Sequence, residues 1–322
     1  MLSKIDAILI ISFFVLISAN AFAHHPAGGA GLGKTGPVRT VSASTLQHNK
    51  WALALQAEFI DFDAFSDREL KEIAQSGSDV HSVDSVFHTI FSIGYGVTDD
   101  FTVSLKVPYV ILNNIKEGHA DEPDEVHIHG DSKGIGDLTI FSQYRFLKMY
   151  DMNVESSLIF GLKIPSGRTG ARDIDGERFE TEFQPGSGSW NPIFGIAATK
   201  RFRQMSLDAD LLYTIATEGA QKTDLGDMFN YDIALSYRVF KEPVVWDLII
   251  EANGEWKQKQ KIDGETDENS GETVIFLSPG MRVSLGKKWS VYLSAGFPVV
   301  QDLNGNQNDT DMRAVMGLSL GL

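Results

Sequence analysis

The side chains best suited to bind a metal ion are concentrated between residues 117 and 131. Three histidines, His119, His127 and His129, stand there among carboxylates. The carboxylates are Glu117, Asp121, Glu122, Asp124, Glu125 and Asp131. Imidazole nitrogens together with carboxylate oxygens bind Zn²⁺, Cu²⁺ and Ni²⁺ in proteins. The stretch therefore predicts a divalent transition metal site, and an acidic surface loop is the alternative interpretation.

A second metal-binding candidate depends on how the chain begins. Residues 1–23 combine Lys4, an apolar run over 7–17 and the sequence SANAFA, which has alanine at both small positions of an A-x-A cleavage site. This pattern predicts a signal peptide. A membrane anchor is the alternative, but the apolar run has only about half of the roughly 20 residues that span a bilayer. Cleavage after Ala23 would leave His24 and His25 at the new N-terminus, where a free amine beside an imidazole can chelate Cu²⁺. A solvated tail is the alternative.

A phosphate-binding motif occurs in residues 28–35, GGAGLGKT, which match G-x-x-x-x-G-K-[ST]. Phosphate binding by this motif requires a preceding strand and a following helix, and the sequence predicts neither. We therefore expect no bound nucleotide. Residues 24–49 are predicted to form a glycine-rich arm, with folding into a barrel lumen as a plug as one alternative.

Composition excludes several other chemistries. The 322 residues include 43 acidic and 28 basic side chains, a formal charge of −15 and no cysteine. Disulfides, thiolate metal sites and cysteine nucleophiles are therefore excluded, and the charge disfavours nucleic acid as a partner. We find no Ser–His pair and no pair of acids spaced as a catalytic dyad, so the sequence predicts no catalytic residues and no enzyme.

From Trp51 onward, apolar residues alternate with polar or small ones, a period of two that predicts strands. Twelve such segments occur, near 51–59, 83–95, 101–111, 136–146, 152–165, 190–202, 206–217, 228–240, 245–257, 272–285, 289–298 and 312–322. The connectors alternate strictly between long and short along the chain. An even number of strands, this alternation and a signal peptide are typical of outer-membrane barrels.

The predicted fold is therefore an all-β, antiparallel, up-and-down transmembrane barrel over residues 50–322. Both termini would be periplasmic, and a soluble sandwich is the structural alternative. Three tryptophans at strand starts, Trp51, Trp246 and Trp289, would form an interfacial belt at the short-turn end. Three phenylalanines at strand ends complete that belt: Phe146, Phe202 and Phe240.

Strand parity predicts which charged residues face the lumen. Near the short turns, an ion-paired girdle is predicted from Arg145, Arg201, Arg238, Arg282, Glu155, Asp208, Asp210 and Asp247. Further up, the wall is predicted to include Glu58, His88, Lys106, Asp232, Glu251 and Glu255. The girdle would be either a structural brace or a constriction that selects solutes by charge.

Four strings resemble a known family: GIGDLTIFSQYRF at 134–146, GLKIPSGR at 161–168, QPGSGSWNPIFGIAATKRF at 184–202 and LSPGMRVSLGKKWSVYLSAGFPV at 277–299. They are similar to the putative MetA-pathway of phenol degradation family, and the similarity extends over roughly residues 45 to 322. The resemblance implies an outer-membrane barrel linked with the catabolism of aromatic compounds. None of the matched residues has a chemical role that the resemblance could transfer.

Together these observations predict a passive channel for small molecules, with aromatic or hydrophobic compounds as candidate solutes and membrane lipid around the barrel. Two alternatives remain open: a metal-binding outer-membrane protein, and a non-conducting structural barrel. The sequence does not predict the oligomeric state.

Overall fold

The computed structural model describes residues 36–240, 244–286 and 288–322. Twelve antiparallel strands form the barrel. In chain order they are β1 (Trp51–Asp63), β2 (Ser85–Thr98), β3 (Phe101–Gly118), β4 (Leu138–Met149), β5 (Val154–Ile164), β6 (Asn191–Phe202), β7 (Met205–Thr214), β8 (Met228–Phe240), β9 (Val244–Lys257), β10 (Glu272–Leu285), β11 (Trp289–Leu303) and β12 (Asp309–Gly321). Each strand pairs with its neighbours in sequence, and β1 pairs with β12, so the sheet closes. The prediction of a twelve-stranded barrel is confirmed.

Shorter elements lie at the end of the barrel that carries the long loops. They are helix α1 (Asp67–Gln75), the strands Val80–Ser82, His127–Ile135, Thr223–Asp224, Lys261–Ile262 and Glu265–Thr266, and the 3₁₀ turns Thr181–Phe183 and Ala220–Lys222. Ser66 caps the start of helix α1: its hydroxyl accepts from the backbone N–H of Glu69, while the Glu69 carboxylate accepts from the Ser66 backbone N–H. This reciprocal capping satisfies donors that a helix start leaves unpaired. In the part of the chain that the structure describes, no helix combines the length and apolar character needed to cross a bilayer.

The period of two separates the faces of each strand. Along β1, alternate side chains such as Gln56 and Glu58 are buried, whereas Leu55 is 52% exposed on the outer surface. A strand with an apolar outer face and a polar inner face fits a wall between lipid and a polar lumen. The six aromatic residues predicted for the belt at the short-turn end are all exposed: Trp51, Phe146, Phe202, Phe240, Trp246 and Trp289.

The third and fourth strands differ from their prediction. The sequence predicts a loop over 113–135, whereas β3 continues to Gly118 and pairs with strand His127–Ile135. Strand His127–Ile135 supplies hydrogen-bond partners for β3 residues 109–117, because the pairing of β4 with β3 covers only residues 101–106. The histidines of this region therefore lie on or beside a sheet and not on a free loop.

Two segments enter the barrel interior. Residues 36–46, which we call the arm, lie in the lumen near the short-turn end, where Val38 and Ala43 are fully buried. Loop 166–189 enters from the long-loop end, and Phe179 and Phe183 pack there against apolar side chains of the wall. That apolar cluster consists of Ile60, Phe62, Val83, Val86, Val110, Leu112, Ile115, Ala171, Phe179 and Phe183.

Candidate functional site

The arm crosses the lumen from one side of the wall to the other. At its C-terminal end, Thr45 Oγ1 donates to the Asp99 carbonyl over 2.6 Å in the β2–β3 turn. In the middle, the Ala43 N–H donates to Thr199 Oγ1 over 2.9 Å on β6. At its far end, Arg282 Nη2 on β10 donates to the Pro37 carbonyl over 2.8 Å. Each of these hydrogen bonds involves at least one side chain, and the arm adds no strand to the sheet.

Glu251 on β9 holds the end of the arm next to Pro37. Its carboxylate accepts the backbone N–H of Val38, that of Arg39 over 3.0 Å and that of Thr40 over 3.3 Å. Glu251 itself is 1% exposed. Hydrogen bonds to an ionised acceptor are stronger than neutral ones, and these three replace the water that the arm backbone loses in the lumen.

Arg39 is the cation of the arm. Its guanidinium pairs with Glu58 on β1 and, over 3.0 Å, with Glu255 on β9. Arg313 on β12 lies 2.5 Å from the same Glu255 carboxylate and stacks on the Phe276 ring, with its guanidinium carbon 3.9 Å from the ring centroid. Two arginines and two glutamates thus form one buried network, and one of the arginines comes from the arm.

The predicted girdle is assembled in part. Arg145 and Arg201 both approach Glu155, over 3.4 and 3.3 Å, and Arg238 pairs with Asp247 over 2.9 Å. Arg145 also pairs with Asp100 over 2.7 Å in the β2–β3 turn.

Three predicted girdle members have other partners. Arg282 donates to the carbonyls of Gly36 and Pro37 in the arm and stacks on Tyr292. Asp208 accepts from the hydroxyls of Thr199 and Ser206. Asp210 accepts from the Val41 N–H of the arm. Within the described ranges no lysine or arginine nitrogen lies within 4.0 Å of either aspartate. The arm fills the space across which these groups were expected to meet.

The upper wall residues surround the arm. His88 lies 3.6 Å from Glu58, and Lys106 lies over the Phe141 ring at 4.5 Å from its centroid. Asp232 stands directly opposite Asp210 in the β7–β8 register. Five carboxylates therefore face the arm, and the described cations around it include Lys106, Arg282 and Arg313 on the wall, besides Arg39 of the arm itself. These carboxylates belong to Glu58, Asp210, Asp232, Glu251 and Glu255.

Sequence reasoning missed Arg39 and Arg313. Arg313 has the inward parity of its strand, so the rule that identified Arg282 would have identified it too. Arg39 stands in the glycine-rich arm, which has no periodicity to indicate an orientation.

The metal-binding candidates lie at the long-loop end. His119 and His129 both approach Glu117, over 3.2 and 3.0 Å, and His127 approaches Glu122 over 3.1 Å. The predicted signal peptide, the motif at 28–35, and His24 and His25 lie outside the described residues.

His81 was not predicted and joins the same region. Its Nε2 is 3.1 Å from Glu117. Burial alone would lower the pKa of His81, but the hydrogen bond to Glu117 and the charges of Glu180 and Glu182 outweigh burial and raise it to about 10. The hydrogen bond to Glu117 is likewise the main cause of the raised pKa of His129.

Comparison with known proteins places this geometry in context. A family model described as Putative MetA-pathway of phenol degradation matches residues 62–301. The COG4313 outer membrane channel from Pseudomonas putida F1 aligns with a TM-score of 0.61 and 13% identity, covering 89% of this chain and 100% of that one. The CymD monoaromatic hydrocarbon channel aligns with a TM-score of 0.42 and 11% identity, covering 86% of this chain and 88% of that one. The KdgM porin aligns with a TM-score of 0.41 and 11% identity, covering 84% of this chain and 98% of that one. No curated protein matches.

Proposed function

The chain belongs to the putative MetA-pathway of phenol degradation family, and from that premise we propose that it is an outer-membrane channel for the passive transport of small molecules. Lipid surrounds the barrel, and both termini lie in the periplasm. Small aromatic compounds are the first solutes to test, because the family's description names phenol degradation. The proposal includes no catalytic step, nucleotide or nucleic acid.

One observation carries the proposal: a polar segment, the arm, fills a polar lumen through contacts that can be released without breaking the sheet. Its partners are side chains on β1, β6, β7, β9 and β10 and the Asp99 carbonyl in the β2–β3 turn. The barrel keeps its closed hydrogen-bonded ring when the arm leaves. A scaffold without transport would more economically fill this space with apolar side chains, since buried charges cost free energy to desolvate.

The arm then acts as the gate of the channel. While it is bound, Arg39 neutralises part of the carboxylate excess on the wall. When it leaves, the wall exposes five carboxylates beside the cations Lys106, Arg282 and Arg313, and the remaining negative excess attracts cations from the solution. Solutes pass by diffusion, with size selected by the narrow lumen of a twelve-stranded barrel.

Single-channel recording in planar bilayers tests the proposal. The mature chain from residue 24 is compared with a chain lacking residues 24–46 and with the variant Ser42→Cys/Thr199→Cys. The Ser42 and Thr199 hydroxyl oxygens are 3.1 Å apart, which brings the two introduced cysteines within reach of each other. The natural chain contains no cysteine, so oxidation of the double variant links the arm to β6 alone. We expect conductance from the deletion protein, and from the double variant when it is reduced but not when it is oxidised.

The matched control carries Ser42→Cys alone and should not respond to oxidation. Silence of the deletion protein would contradict the channel and favour the structural barrel. Equal conductance of the double variant in both redox states would contradict gating by the arm.

A further inference from the structure

A histidine–carboxylate cluster lies at the long-loop end, where three chain segments meet. His81 is on the strand Val80–Ser82, and Glu117 is near the end of β3. Glu180 and Glu182 come from loop 166–189. None of these four residues belongs to the lumen wall around the arm.

The distances place several ligand atoms around one imidazole. His81 Nε2 is 3.1 Å from Glu117 Oε1 and 3.7 Å from Glu180 Oε2, and His81 Nδ1 is 3.8 Å from Glu182 Oε1. One ligand atom each of His81, Glu180 and Glu182 lies within 4.8 Å of the others. Zinc bonds of roughly 2.0–2.2 Å hold tetrahedral ligand atoms about 3.4 Å apart. Separations of up to 4.8 Å must therefore shorten by about 1.4 Å. Because one ion binds one imidazole nitrogen, Glu180 on the Nε2 side and Glu182 on the Nδ1 side must converge on the same nitrogen of His81.

The charge balance of the cluster also points to a cation. The side chains of Glu117 and Glu182 are each only 10% exposed. In the described part of the chain, the only cationic side chains with a nitrogen within 4.0 Å of Glu117, Glu180 or Glu182 are histidines. Carboxylates that are withdrawn from water and lack a lysine or arginine favour a positive charge between them, which a protonated His81 supplies in the free cluster and a divalent ion supplies once His81 has lost its proton.

Neighbouring groups orient the ligands. Gln260 donates an amide N–H to the second oxygen of Glu182, which leaves the first oxygen toward His81. The Phe183 ring meets the His81 ring edge-on, with the centroids 4.9 Å apart. Hydrogen bonds and packing of this kind fix ligand orientation at metal sites.

We propose that His81, Glu180 and Glu182, with Glu117 as the adjacent fourth ligand, bind a divalent transition metal ion of the zinc type. The ion would join strand Val80–Ser82, β3 and loop 166–189 at the mouth of the barrel. A second group, Glu122, Glu125 and His127, is largely exposed and has no buried member, so we do not assign the ion to it. The proposal is independent of whether the barrel conducts.

Isothermal titration calorimetry of the folded mature chain with ZnCl₂ tests the assignment. The chain carries His24→Ala and His25→Ala, which removes the N-terminal chelate that the sequence predicts. We expect one Zn²⁺ per chain, and an affinity reduced by roughly tenfold or more in both His81→Ala and Glu182→Gln, the range typical when metal-site groups are removed. His127→Ala is the matched control, because His127 lies at the same end of the barrel in the other group, and its affinity should stay within about twofold.

Two results would overturn the proposal. One is the absence of saturable binding in the parent chain. The other is binding that His127→Ala abolishes while Glu182→Gln preserves it. Glu182→Gln is nearly isosteric, so it keeps the test valid if His81→Ala does not fold. Zinc-edge X-ray absorption of the parent supplies a second measurement: one imidazole with oxygen ligands supports the site, and three imidazoles contradict it.

Discussion

Replacing Arg39 by methionine should release the arm from the lumen. The guanidinium pairs with Glu58 and Glu255, and the side chains of all three residues are at most 5% exposed. Removing one partner of a buried ion pair costs about 3–5 kcal/mol, because the remaining charge stays buried without compensation. We take the lower limit, about 3 kcal/mol, because Arg313 still contacts Glu255. The substitution destabilises only the state with the arm bound, because water enters the lumen and solvates the two glutamates when the arm leaves.

Each 1.4 kcal/mol changes an equilibrium constant about tenfold, so the opening equilibrium of the arm should shift by about 150-fold. The assay uses Val38→Cys as the only cysteine of the chain, since Val38 is fully buried and its replacement keeps the backbone N–H that Glu251 accepts. A charged thiol reagent labels this cysteine only when the arm opens. When labelling is slower than closing, its rate is proportional to the open population.

The matched control is Arg238→Met in the same Val38→Cys background. Arg238 pairs with Asp247 on the wall, so its loss removes the same charge while the ion pairs of the arm remain. We expect labelling close to the parent rate in this control and about 150-fold faster in Arg39→Met. Rates within threefold of each other for Arg39→Met and the parent would refute the argument that this network holds the arm.

Three further predictions concern the lumen and the lipid face. Glu251→Ala should speed the same labelling by at least tenfold, because three arm N–H groups lose their acceptor and each such hydrogen bond contributes about 1 kcal/mol. Deletion of residues 24–46 should make the pore cation-selective, which the reversal potential in a KCl gradient measures; anion selectivity would contradict the carboxylate excess. Leu55→Arg should lower the free energy of unfolding in lipid by about 2–4 kcal/mol, because it places a charge on the lipid face of β1. Tyr150→Arg in a short turn should change this free energy by at most about 1 kcal/mol, and urea titration measures both values. Equal effects of these two substitutions would contradict the placement of Leu55 in the bilayer.

The pattern of the chain determined the barrel itself. Alternation with a period of two fixed which side chains share a face, so Glu58, Glu251 and Glu255 could be assigned to the lumen before their partners were known. The alternating loop lengths indicated closure. These features are local, because the pleat of a strand sends successive side chains to opposite sides whatever the rest of the fold does.

Only the tertiary structure decided what those side chains contact. Arg39 is 216 residues from Glu255, and the arm that carries it has no periodicity to indicate its path. His81 likewise meets Glu180 and Glu182 only because loop 166–189 folds over the mouth of the barrel. Closure of the sheet brings distant strands around one lumen, and packing and charge within that space select the partners. A pattern read along the chain determines the direction of a side chain, whereas its partner depends on contacts between segments that the sequence leaves far apart.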